Sequence, residues 1–213
     1  MSKIIPWVLS VILLIAIFNS SAQNQEMSRV PLIGDNASDP DVAKTFQNTL
    51  SRGGYISNLS RVMANAPKLM APAGAYASAL RYSSDIPRNY LELMIFRITQ
   101  RENGDYENAL HTQGALSCGV SQAKLDAVAN WRKSNLFDPK ERAILAYSDA
   151  MATKEGPDDA TFHTLSTFFS PGEIVLLTFT NGWYIGHSAE SRALRMPRDT
   201  DLVQATKGLS CKK

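Results

Sequence analysis

The 213-residue chain is poor in the side chains that usually announce chemistry: two cysteines, Cys118 and Cys211, and three histidines, His111, His163 and His187. It has no His-x-x-x-His pair and no cysteine cluster, which removes the common zinc frames. No metal is expected, Glu92, Glu107 and His111 being the sole trio that could offer one ligands. There is no basic cluster, and the formal net charge is only +2. That balance argues against nucleic acid or anionic lipid as partner. The longest apolar run, Ile4 to Phe18, has 15 residues, short of the ~20 that a membrane-spanning helix needs. Internal repeats and long low-complexity linkers are also lacking, and strand signals are scarce. What is left is one helical domain with a substantial core.

The N-terminus has a pattern of its own. Lys3 is the only charge in the first 25 residues. The apolar run is followed by Asn19-Ser20-Ser21-Ala22-Gln23, where Ser20 and Ala22 suit the −3 and −1 positions of a signal-peptidase site. Residues 1–22 therefore read as an export leader cleaved after Ala22, with a retained anchor as the alternative. No cysteine follows the run, so lipid attachment is not indicated. The expected location is periplasmic or secreted, off the membrane once the leader is gone, with residues 23–213 as the mature domain and its core at about 28–197.

Helix punctuation is frequent after the leader. Asp39-Pro40 opens a helix towards Leu50, and Gly53-Gly54 ends it. Asn58 is the expected cap of a short helix through Met63. Pro67 to Tyr82 forms another, with a bend expected at Pro72 and Gly74. Asp138-Pro139-Lys140-Glu141 and Ser170-Pro171-Gly172-Glu173 are capping boxes, the second ahead of the longest helix, to about Leu194. The fold class is all-α.

Pro87 to Ser121 carries the chemistry. From Pro87 to Gln100 the segment is apolar almost all round, so it is a buried helix. Yet it contains Glu92, an acid that burial makes costly unless paired, hydrogen-bonded or protonated. Ile95, Phe96 and Thr99 on the same face would desolvate it and raise its pKa. Arg88 or Arg97 could instead hold it in an ion pair. After the Glu102-Asn103-Gly104-Asp105 break, Glu107 and His111 lie four apart on one helix face. A carboxylate at that spacing would fix the imidazole tautomer and increase its basicity.

Glu92-Leu93-Met94-Ile95-Phe96-Arg97, Gly104-Asp105-Tyr106-Glu107, His111 and Gly119-Val120-Ser121, in that order, resemble the carboxymuconolactone decarboxylase and alkylhydroperoxidase D-like superfamily. Glu92 and His111 stand 19 residues apart, as the glutamate and histidine of that superfamily do. The resemblance implies a helical bundle that assembles as a homo-oligomer, trimer or hexamer, and acts on a small molecule without a cofactor. The thiol-active branch would have cysteines at positions 104 and 107, where this chain has Gly104 and Glu107. The resemblance is thus to a branch without the cysteine pair.

On this reading Glu92, Glu107 and His111 are the catalytic candidates, with Glu92 as proton donor or acceptor, His111 as its partner and Glu107 as orienter. Tyr106, Arg97 and His187 are candidates for substrate binding. His163 reads as an ordinary amphipathic-helix residue. Cys118, seven residues after His111, is a possible redox residue; it either pairs with Cys211 or stands as a buried small residue beside an exposed Cys211 thiol. The expected activity is decarboxylation or proton transfer on a lactone or carboxylate. Peroxide handling and a catalytically silent binding protein are the alternatives.

Overall fold

The computed structural model describes residues 28–83, 85–206 and 211; residues 1–22, where a leader is expected, lie outside them. The described residues form ten α-helices and one 3-10 helix, without a strand. α1 is Pro40–Ser51, α2 Asn58–Met63, α3 Pro67–Tyr82, α4 Arg88–Arg101 and α5 Asp105–Ser117. α6 is Gln122–Ala127, followed by the 3-10 turn Val128–Lys133, α7 Pro139–Met151, α8 Asp159–Ser166, α9 Pro171–Leu194 and α10 Leu202–Thr206. No helix among the described residues is long and apolar enough to cross a membrane.

Local signals set most of these boundaries. Asp39 caps α1 through Asp41 N and Val42 N. Both capping boxes form as the sequence dictates, Asp138 with Glu141 and Ser170 with Glu173. α3 runs unbroken through Pro72 as one helix. The cap of α2 is a correction: Ser57, not Asn58, accepts from Ser60 N. Asn58 is occupied elsewhere, its side-chain amide donating to the carbonyls of Pro197 and Arg198. Satisfying two tail carbonyls there leaves the cap to its neighbour.

α4 is the axis. Leu91, Leu93, Met94, Ile95 and Ile98 are buried on every side of it. One side joins Ile144, Tyr147, Leu165, Leu177 and Tyr184 in the larger core cluster. The other meets Ala115, Val120, Leu125, Val128, Trp131 and Leu145. α5, α7 and α9 are its principal neighbours. With α4 enclosed, any polar atom it carries must find its partner within the protein.

The C-terminal segment is tied down at two levels. Asp199 accepts from Asn58 N (2.7 Å) and from the Tyr106 hydroxyl (2.7 Å). Beyond α10, which packs against α5, Cys211 forms a disulfide with Cys118, the C-cap residue of α5.

Candidate active site

The α4–α5 turn decides which residues meet. Asn103 takes a left-handed conformation (φ 51°), and Gly104 follows it against α9. A Cβ on Gly104 would stand 2.7 Å from Cβ of Ser188, closer than two carbon atoms can approach. Only glycine lets α5 fold back this tightly, and the tight return lays His111 against Glu92.

The two side chains meet in the interior. His111 Nδ1 lies 2.6 Å from Glu92 Oε2. The other oxygen, Oε1, accepts from Arg88 Nε at 3.0 Å and Nη2 at 2.6 Å. Glu92 has no exposed surface, and Arg88 and His111 retain only 6% and 3% of theirs. Burial alone would push the Glu92 carboxyl up, but the charges and hydrogen bonds of His111 and Arg88 outweigh it and hold the carboxyl below its ordinary range. This corrects the expectation of a raised pKa: the apolar neighbours are present, but two partners override them.

An ionised Glu92 accepts hydrogen bonds and cannot donate. The proton in the contact with His111 therefore resides on Nδ1, and Nε2 is the nitrogen left to exchange protons. Nε2 faces Glu107 Oε2 at 3.7 Å, and Glu107 Oε1 lies 4.0 Å from Nδ1 of His187. Glu107 thus stands between two imidazoles. The ring of Tyr184 meets His111 edge-on at 4.7 Å, and Trp183 meets His187 at 4.3 Å.

Glu107, His111 and His187 all line a cavity of about 410 Å³. Glu92 does not reach its wall. α3 contributes one face, Met70, Ala73, Gly74, Ala77 and Arg81, while α9 contributes Trp183 and Tyr184. Tyr55, Ser57, Leu59 and Ser60 come from α2 and the loop before it, and Ala205 and Thr206 from α10. Apolar and aromatic walls with a few convergent polar groups are the usual make-up of a small-molecule site.

Three expected site residues lie elsewhere. Arg97 is paired with Asp149 (2.6 Å from Nε) and with Gln100. Asp149 also accepts from Trp131 and Arg132, so Arg97 holds α4 to α7 and is absent from the cavity wall. Tyr106 is buried and directed at Asp199, with Leu59 N donating to its oxygen; it fastens the C-terminal segment. Cys118 is consumed by its disulfide and has no thiol to offer. Among the described residues, no group of three or more His, Cys, Asp or Glu side chains is arranged to hold a metal ion.

Sequence reasoning missed Arg81, Trp183 and the α10 wall. Met70, Gly74, Ala77 and Arg81 fall at helical spacing on one face of α3, a stripe of small residues ending in a cation. That stripe was the available signal.

Helices packed around a buried α4 make an all-α fold, shared with alkylhydroperoxidase AhpD-like structures. The model of the carboxymuconolactone decarboxylase family matches residues 67–150, from α3 to the end of α7, which includes Glu92, Glu107 and His111.

Solved structures share the fold at low identity. An uncharacterised peroxidase-related protein with an alkylhydroperoxidase AhpD core, from Ralstonia eutropha, superposes with a TM-score of 0.73 at 16% identity, over 84% of this chain and 96% of its own. A protein of unknown function from Agrobacterium tumefaciens gives 0.61 at 22% identity, over 65% and 96%. The debrominase Bmp8 gives 0.65 at 16%, over 80% and 92%. No curated protein sequence matches the chain.

Proposed function

We propose that the chain is a cofactor-free acid–base enzyme, exported by its leader, that moves a proton at a carbon adjoining a carbonyl or carboxylate of a small organic acid or lactone. The observation that carries this reading is the buried 2.6 Å contact of Glu92 with His111 Nδ1, His111 and the neighbouring Glu107 both lining the cavity. The family match over the same helices supports decarboxylation or a related proton transfer as the reaction class.

The roles differ from those expected of the sequence. Glu92, held ionised by Arg88, is the orienter: it fixes the tautomer and stabilises the imidazolium when His111 gains a proton. Glu107, on the cavity wall, is the second proton-carrying group. In a proton shift, Nε2 takes a proton from carbon, the C–H electron pair enters the carbonyl as an enolate, and the proton returns at another carbon. In a decarboxylation, the C–C bond to the carboxylate breaks, its electron pair forms the enolate, carbon dioxide leaves, and the imidazolium protonates the carbon.

Peroxide handling through a thiol pair is not favoured. The chain has Gly104 and Glu107 where such a pair would stand, and Cys118 and Cys211 are bonded to each other.

The test is solvent-deuterium exchange and carbon dioxide release from a panel of β-keto acids and unsaturated lactones. His111→Gln is expected to lower the rate by about 10²–10⁴-fold. An unchanged rate in that variant ends the proposal. Turnover of no compound, with ligand retention unaffected by Glu92→Gln and His111→Ala, establishes a binding protein on this scaffold instead.

A further inference from the structure

The mechanism leaves one charged wall residue unused. Arg81, in the last turn of α3, is the only Lys or Arg among the described residues that line the cavity. No carboxylate among the described residues lies within ion-pair distance of it, and its Nε is out of solvent reach without a hydrogen-bond acceptor. Its guanidinium lies over the Tyr82 ring, 5.9 Å from the centroid, and interacts with the Tyr184 phenol, whose deprotonation burial pushes far up. A neutral phenol does not balance a guanidinium. Glu92 does not either, since Arg88 and His111 already take both its oxygens.

Arg81 is also held in place. Arg88 Nη1 donates to the Arg81 carbonyl at 3.0 Å while Arg88 Nε and Nη2 grip Glu92. One guanidinium thus ties the end of α3 to the carboxylate that orients His111. The cavity accordingly has a guanidinium without a carboxylate partner on one wall and His111 on another, with Tyr82, Trp183 and Tyr184 also lining it.

We propose that Arg81 is the anion anchor of this cavity: it selects ligands bearing a carboxylate on a flat, apolar body, holding that carboxylate on the α3 wall and the neighbouring carbon towards His111. A guanidinium presents paired N–H groups that match a carboxylate's two oxygens, and a site whose buried donor goes unpaired rejects the neutral analogue. The choice of carboxylate over amide is a property of Arg81 alone; its link to turnover rests on the acid–base reading above.

The experiment titrates the full mature chain with benzoate and with benzamide, following Trp183 fluorescence and binding heat. Wild type is expected to favour benzoate by at least about tenfold. Arg81→Gln should abolish that preference, and Arg81→Lys should restore part of it, which separates anchoring from a folding defect. Equal binding of the two probes by wild type, no binding of benzoate, or a preference surviving in a folded Arg81→Gln overturns the proposal. A preference that follows Arg81 in a protein showing no exchange chemistry leaves the anchor standing and removes the catalytic reading alone.

Discussion

His111 reaches back across the α4–α5 turn to Glu92, and a fully buried carboxylate receives it at 2.6 Å. Removing the charge of Glu92 strands two partners at once. Glu92→Gln is expected to destabilise the fold by about 3–5 kcal/mol, because the buried Arg88 guanidinium loses its counter-charge. Urea denaturation of wild type and variant measures it; a loss under about 1 kcal/mol, the scale of an exposed pair, would show that the pair is not the enclosed anchor described above.

The same carboxyl sets an acid limit. Its folded pKa lies below the ordinary value of 4.5, so its ionised form contributes stability that is fully present above about pH 4.5 and is lost as pH falls through the folded value. Asp149, held below its ordinary 3.8 in spite of burial by Trp131, Arg132 and Arg97, acts in the same direction. Stability should fall steeply on acidification below about pH 4.5, and Glu92→Gln should flatten that slope. An identical slope in the variant would contradict the assignment.

Gly104 and Ser188 share a space with no room for another atom. Gly104→Ala should cost about 1–3 kcal/mol by overpacking, and Gly104→Cys at least as much. Installing cysteines at both 104 and 107 should therefore yield a less stable protein, judged by thermal melting. Ser188→Gly should relieve the strain of Gly104→Ala; if it does not, the clash is not the cause.

The disulfide closes a long loop, its cysteines being 93 residues apart. Cys118→Ser with Cys211→Ser should lower stability by about 2–4 kcal/mol. Hydrogen exchange should rise in α10 before it rises in α4. Uniform loosening of the whole chain would argue against a tail-specific tie.

Tyr106→Phe removes the hydroxyl that Asp199 accepts from, leaving that buried carboxylate with one donor fewer. A loss of about 1–3 kcal/mol is expected, without the selective fall in turnover that a substrate-binding tyrosine would give. A rate defect exceeding the stability defect would return Tyr106 to the site.

How far the sequence could be read depended on the range of each interaction. The capping boxes at Asp138 and Ser170, the first-turn proline of α1 and the ends of α3 and α9 rest on contacts a few residues apart, and they came out as written. So did the Glu107–His111 face. Competition was less legible: desolvation of Glu92 was visible in Ile95 and Phe96, but its outcome depended on two partners arriving together. That Arg97 and Tyr106 lie away from the cavity wall was not legible because their partners, Asp149 and Asp199, are 52 and 93 residues away. Arg81 stayed hidden for the same reason: a lone arginine after alanines acquires meaning only when α5 and α9 close over it.

Glu92, Glu107 and His111 all come from the stretch of chain that the family model spans, whereas His187, Trp183, Ala205 and Thr206 lie beyond it. Part of the cavity wall thus lies outside the stretch that holds the glutamate–histidine contact, while the α3 face with Arg81 lies within it. Substitutions in α10 or along the cavity face of α9 can therefore reshape the cavity while leaving the buried Glu92–His111 contact untouched.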